Sequence, residues 1–226
     1  MPLPWLFAAG TSANGFIQIY TTLTAANFHV VLVTPNGAAP EFYCEDDKGE
    51  AWMREHKQLY SRPQRIGDVS GACKPNTNPN PPNPNPPVAE SNFDAIFLPS
   101  ALGAIQDLAD NEVLGTLVQA FLTRKKPIGA VGYGVAGLCT AMAAESEWCF
   151  SEFNLTAVSV YECSNTPYFD KLPFIIEDFI KDNGGKYNCN ESEGSIHAIV
   201  DRNLVTGQNT QSTGLVVQNV VWLMKN

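Results

Sequence analysis

At 226 residues the chain is long enough for one sizeable core and short for two, and 44% hydrophobic with 16% charged residues is ordinary for a globular domain. A formal net charge of −9 argues against direct nucleic-acid binding, since such a surface repels a phosphate backbone on average. No stretch approaches the roughly 20 apolar residues that a membrane span needs.

The first ten residues carry no basic side chain, so the apolar run at residues 3–9 reads as a first strand rather than a secretory leader. Phe16, Tyr20 and Leu23 then recur at helical spacing. Residues 28–33 form a β-branched, apolar strand closed by the turn Pro35-Asn36-Gly37. Residues 46–60 are polar and predict a surface helix. Residues 75–87, PNTNPNPPNPNPP, cannot build a core and read as an extended, solvated loop insert; their PxxP spacing lacks the basic flank of an SH3-type ligand. Residues 93–98 form a buried strand stopped by Pro99. Val113, Leu114, Leu117, Val118 and Phe121 make the apolar stripe of a helix, and Arg124-Lys125-Lys126 complement its C-terminal dipole.

Residues 127–131 are the next strand, followed by small residues at 134–144 that suit a tightly packed helix. Ile175, Ile176, Phe179 and Ile180 face one way on a further helix, while Glu177, Asp178, Lys181 and Asp182 face solvent. Residues 196–200 and 204–206 flank Asp201-Arg202-Asn203 as a hairpin, and Val216, Val217, Val220 and Val221 mark a closing helix. Strands that are continuous apolar runs, alternating with one-sided helices, predict a mostly parallel sheet covered on both faces. The fold is a three-layer αβα, flavodoxin-like sandwich forming one domain over residues 1–226.

The six cysteines include no CxxC pair and no cluster with zinc-ligand spacing, so no metal or other cofactor is expected, and scattered thiols fit a reducing compartment. Ligands in open α/β sheets bind at the carboxyl ends of strands, which directs attention to Ala130-Val131-Gly132-Tyr133-Gly134-Val135-Ala136-Gly137-Leu138. A buried strand running straight into small residues is the layout of a nucleophile elbow.

That stretch, with Phe93-Asp94-Ala95-Ile96-Phe97-Leu98-Pro99 before it and Leu204-Val205-Thr206-Gly207-Gln208-Asn209 after it, resembles the ThiJ/PfpI family of the class I glutamine amidotransferase-like superfamily. Leu172-Pro173-Phe174-Ile175-Ile176-Glu177-Asp178 is similar to a helix of the family's chaperone-like branch. By that resemblance the elbow's cysteine position falls at Gly132, ahead of Gly134. The family's glutamate after the first strand falls at Gly15, and the Gly-Gly that supplies an oxyanion-hole amide is replaced by Ser100 and Ala101. No late His–Glu pair is found. Glycine has no attacking atom and tolerates φ > 0, so the elbow is degenerate, without nucleophile or strain. No residue is assigned a catalytic role.

Substitutes are weak. The Tyr133 phenol, with a pKa near ~10, needs strong activation to attack and is expected instead to pack into the vacated pocket. Cys139 lies about 10 Å further along a helix and reads as a core thiol. His197 reads as a half-buried strand histidine, His29 and His56 as structural or surface residues, Asp94 as a loop-facing carboxylate at a strand's start, and Glu177 and Asp178 as solvated charges.

The expected function is therefore that of a pseudoenzyme acting as a scaffold or binding subunit. The resemblance implies a homo-oligomer, dimer or tetramer, within an early-endosomal Rab-effector (FERRY) complex linked to messenger RNA transport. On that reading the protein is cytoplasmic and any RNA contact belongs to other protein subunits. The alternatives are a cofactor-free glyoxalase, deglycase or amide hydrolase with an unconventional nucleophile, and a small-molecule sensor that keeps the pocket.

Overall fold

The computed structural model describes residues 2–6, 10–69, 93–143 and 147–226; the proline- and asparagine-rich residues 75–87 and Cys73 lie outside them. In chain order the strands are β1 (Pro2–Leu6), β2 (Thr11–Ser12), β3 (His29–Thr34), β4 (Phe42–Tyr43), β5 (Gln64–Arg65), β6 (Ile96–Leu98), β7 (Ile128–Val131), β8 (Asn154–Leu155), β9 (Lys186–Tyr187), β10 (Ala198–Asp201) and β11 (Leu204–Gly207). The α-helices are α1 (Ala13–Ala25), α2 (Asp47–Glu55), α3 (Ile66–Val69), α4 (Ala104–Asp107), α5 (Glu112–Thr123), α6 (Val160–Ser164), α7 (Ile176–Asp182) and α8 (Thr213–Lys225).

The main sheet has the order β10-β11-β7-β6-β1-β3-β5 and is parallel except for β10, which returns antiparallel onto β11. The expected hairpin is that return, with Arg202 at φ +56 in its turn. Period-2 alternation divides the central strands between two cores. Ile96 and Leu98 of β6, Ile128 and Ala130 of β7 and Leu204 of β11 enter one core, with α5 and α7. Phe97, Val131 and Val205 enter the other, with Phe16, Ile19 and Leu23 of α1 and Val216, Val217 and Val220 of α8. This is the three-layer α/β sandwich, and a sheet buried on both faces is why its strands read as unbroken apolar runs.

Three sequence expectations are corrected locally. The helix expected at 134–144 is not an α-helix over its described residues, 134–143: Gly132–Leu138 is a 3-10 helix, buried throughout. A Cβ at Gly134 would lie 2.4 Å from the Pro99 carbonyl oxygen and 2.5 Å from that of Leu98, so this segment is wedged against the end of β6. Beyond it the Trp148 Nε1–H donates to the Leu138 carbonyl at 2.8 Å, ending the run. The polar stretch at 46–60 breaks into α2, capped by Asp46 accepting from the Gly49 N–H at 2.6 Å, and a separate 3-10 turn at Lys57–Leu59. Glu177 is not a solvated charge: its side chain is 13% exposed, and it accepts the Val160 N–H at 2.8 Å while pairing with Lys181 at 2.5 Å.

Three adjacent strands end at the same edge. The chain leaves β6 through Pro99 and Ser100, β7 into Gly132, and β11 into Gln208, so these residues converge at the carboxyl edge of the sheet.

Candidate functional site

The turn after β7 keeps the geometry of an elbow without its side chain. Gly132 has φ +54, which is costly for any residue with a Cβ. The space a side chain would take is filled from β6: a Cβ on Gly132 would stand 2.6 Å from Ser100 Oγ and 3.2 Å from Ser100 Cβ. The backbone of Ser100 is anchored, because its carbonyl accepts the Ser12 N–H at 3.3 Å. The group nearest to a Cβ on Gly132 is thus the Ser100 hydroxyl and not Tyr133, which was expected to pack there.

Tyr133 is buried beneath α6 while still lining the cavity that Gly132 and Ser100 also line. Its hydroxyl lies 3.4 Å from Cys163 Sγ, and its ring meets Tyr168 edge-on with centroids 6.5 Å apart. Burial drives the phenol far above its ordinary value, and the Cys163 contact adds to this. Burial likewise raises the Cys163 thiol; Glu162 and Glu177 reinforce that shift, while the Tyr133 hydrogen bond opposes it. Neither group is ionised near neutral pH, so neither is primed for attack.

Beside the elbow a cavity of about 520 Å³ remains open. Gly132, Tyr133 and Ser100 form its floor; Tyr43 and Tyr168 stand on its walls, with Glu162 and Glu193. Glu162 arrives on α6, whose start is a capping box: Ser159 Oγ accepts the Glu162 N–H at 3.1 Å while Glu162 Oε2 accepts the Ser159 N–H at 3.3 Å. The carboxylate is then locked by the turn after β11. Gln208 Nε2–H donates to Oε2 at 3.0 Å, Asn209 Nδ2–H to Oε1 at 2.8 Å, and the Gly194 N–H to Oε1 at 3.3 Å. Every one of these donors is neutral.

The remaining sequence candidates separate in space. Gly15 faces a neighbouring cavity that shares Tyr43, Thr210 and Gln211 with the first. Its N–H donates to Ser12 Oγ at 2.9 Å, and Ser12 in turn donates to Glu45, which also accepts the Asn14 N–H at 3.2 Å. A carboxylate thus reaches the start of α1 from the loop after β4, rather than from position 15. Gly134 is packed under the ends of β6 and away from the cavity lining, and Ala101 is buried, bridging to Thr11.

Cys139 is buried, and burial pushes its thiol up to about 12. His197 shares backbone and hydroxyl contacts with Gln208 and Ser212, and its buried Nε2 has no hydrogen-bond partner among the described residues. His56 stacks on Trp52 with centroids 4.0 Å apart, and His29 is exposed at the start of β3. Asp94 is half-buried just ahead of β6 and Asp178 lies on α7; neither lines the cavity. Among the described residues no group of His, Cys, Asp and Glu has metal-binding geometry.

Sequence reasoning missed Tyr43, Glu45, Glu162 and Tyr168. Only Glu162 had a local signal, the Ser159-x-x-Glu162 capping box.

Comparison with known proteins follows the same architecture. The model of the DJ-1/PfpI family matches residues 6–221. Glutamine amidotransferase-like class 1 domain-containing protein 1 of Homo sapiens is 35% identical over 217 residues, covering 96% of this chain and 89% of that protein. The Danio rerio protein of the same name is 34% identical over 220 residues, covering 97% and 93%. Among solved structures, Rapid Encystment Protein 24 KDa of Francisella tularensis superposes with TM-score 0.83 at 18% identity, covering all of both chains. Glyoxalase III of Candida albicans superposes with TM-score 0.77 at 12% identity, covering 98% of this chain and 96% of that one.

Proposed function

The chain belongs to the DJ-1/PfpI family, and on that premise we propose that it is a member without covalent catalysis of its own, acting as a homo-oligomeric binding or scaffolding subunit. The observation carrying this reading is Gly132: the turn that aims an attacking atom has none, and Ser100 Oγ occupies the volume it would need. A side chain installed there would have to move the Ser100 hydroxyl aside.

Likeness to glutamine amidotransferase-like class 1 domain-containing protein 1 supports the further proposal that the partners are other copies of this chain and the other protein subunits of an early-endosomal Rab-effector (FERRY) complex linked to messenger RNA transport. The protein would act in the cytoplasm and on early endosomes. With a net charge of −9, RNA contact would fall to other subunits.

Two measurements on the full chain test the reading. Affinity purification from cells should recover a defined set of partner subunits. Purified protein incubated with methylglyoxal should show no turnover above the buffer blank. Turnover that disappears in Tyr133→Phe or Cys139→Ser would replace the proposal with the enzyme reading, to which the fold of glyoxalase III lends a precedent.

A further inference from the structure

The open cavity beside Gly132 carries more than the loss of a reaction, and we propose that it is a binding site for a small organic cation, an alkylammonium group held between tyrosine faces and fixed carboxylate charge. The inference rests on the reading of the site as non-catalytic and names the class of ligand it takes.

The lining has a one-sided chemistry. Tyr43 and Tyr168 supply aromatic surface above the buried Tyr133, Glu162 and the exposed Glu193 supply two carboxylates, and among the described residues no Lys, Arg or His lines this cavity. One adjoining cavity, which shares Tyr43, Thr210 and Gln211, adds Glu45, and a second, which shares Gly10, Leu102 and Tyr168, is lined by Lys171. A volume of about 520 Å³ is in the range of small-molecule sites.

An acidic cluster on a surface would be neutralised by solvent and mobile ions; Glu162 differs because it is preorganised. Its two oxygens accept from Gln208, Asn209, Gly194 and Ser159, which hold the carboxylate in one orientation. With those lone pairs in use, it acts on a ligand through space, as a fixed negative charge in a partly desolvated wall. Neighbouring groups register that field: Glu162 adds to the upward shift that burial gives Cys163, and Glu45 adds to the one that burial gives Tyr43. An anionic substrate would meet the same field as repulsion.

The tyrosines supply the complementary term. A cation over an aromatic face is attracted by the ring quadrupole, more strongly as water is excluded, and Tyr168 lies on the cavity with its ring 6.5 Å from that of the buried Tyr133. Hydroxyls at the floor and rim, Ser100 and Thr210, are positioned to accept N–H bonds from a protonated amine.

The test is calorimetric titration of the full chain with choline, with n-butylammonium, and with 3,3-dimethyl-1-butanol, the uncharged isostere of choline. The two cations should bind at least about tenfold more tightly than the isostere. Tyr168→Leu should weaken choline binding by about tenfold while Tyr168→Phe, which keeps the ring, retains it. Gln211→Lys places a cation at the exposed mouth without touching the core, and should abolish binding.

Equal affinity for choline and its isostere, tighter binding of an anion such as glutarate, or unaltered choline binding by Gln211→Lys would each overturn the proposal, as would the absence of any heat with both cations. The methylglyoxal assay is independent of all three arms: turnover would remove the non-catalytic reading while leaving cation selectivity measurable, and missing cation binding would leave that reading intact.

Discussion

Position 132 combines two separable constraints. The backbone sits at φ +54, where an L side chain costs about 1–2 kcal/mol, and an added Cβ would press on Ser100 Oγ at 2.6 Å. Gly132→Ala should therefore destabilise the protein by about 2–3 kcal/mol in urea denaturation, the sum of backbone and overpacking terms. In Gly132→Ala/Ser100→Gly the contact disappears while the dihedral penalty stays, so the double mutant should recover about 1 kcal/mol relative to additivity. Strict additivity would mean that Ser100 does not occupy the old side-chain volume. Gly134→Ala offers a contrast, since its Cβ would collide with the backbone carbonyls of Leu98 and Pro99 and no side-chain change can relieve it. That variant should lose stability whatever residue occupies position 100.

At the scale of elements, α6 is short, spanning five residues, and depends on its ends. Ser159 and Glu162 satisfy each other's N–H groups, and Glu177 from α7 accepts the Val160 N–H at 2.8 Å. Ser159→Ala should cost about 1 kcal/mol. It should also loosen Glu162, so proteolysis or hydrogen exchange at residues 159–164 should rise by more than the global stability change accounts for. Uniform exchange across the chain would show that the cap does not hold the site's carboxylate in place.

The same elements show which parts of the fold could be read in the sequence. Strands β3, β6, β7 and β11 and helices α1, α5 and α8 were legible because burial on two faces or one leaves a long apolar signature. β2, β4, β5, β8 and β9 are two residues long, too short for any alternation to register. The 3-10 segment Gly132–Leu138 was misread as an α-helix because small residues permit either state, and contact with β6 decides between them. The strand running straight into Gly132-Tyr133-Gly134 was visible in the residues, and the family resemblance is what marked Gly132 as the nucleophile position. The cavity's walls were not: Tyr43, Glu162 and Tyr168 come from separate loops and a short helix, and only the folded sheet edge brings them together.

For the whole molecule, acid stability follows from carboxylates that join elements. Asp201, at the tip of the β10–β11 hairpin, accepts the Asn154 N–H at 2.8 Å and Asn154 Nδ2–H at 2.9 Å, tying β8 to the main sheet. Burial acts to raise its pKa, but the two Asn154 hydrogen bonds, with the charges of Arg202 and Lys186, together outweigh it and hold the carboxyl below its ordinary value of 3.8. Glu177 behaves likewise against an ordinary 4.5: burial is opposed and exceeded by Lys181 and the Val160 N–H.

A carboxyl whose folded pKa is depressed contributes stability that is present above its unfolded pKa and is lost as pH falls through the folded one, because in that window the unfolded chain binds more protons. The net charge of −9 at pH 7 works in the opposite sense above this window, since acidification toward neutrality relieves self-repulsion. The urea midpoint should therefore be level or rise slightly from about pH 7 to about pH 5 and fall steeply below about pH 4.5. Asp201→Asn should cost about 1 kcal/mol at neutral pH and less at about pH 3, flattening the acid limb. An acid limb with the same slope in the wild type, Asp201→Asn and Glu177→Gln would mean that these two carboxylates do not carry the acid sensitivity of the fold.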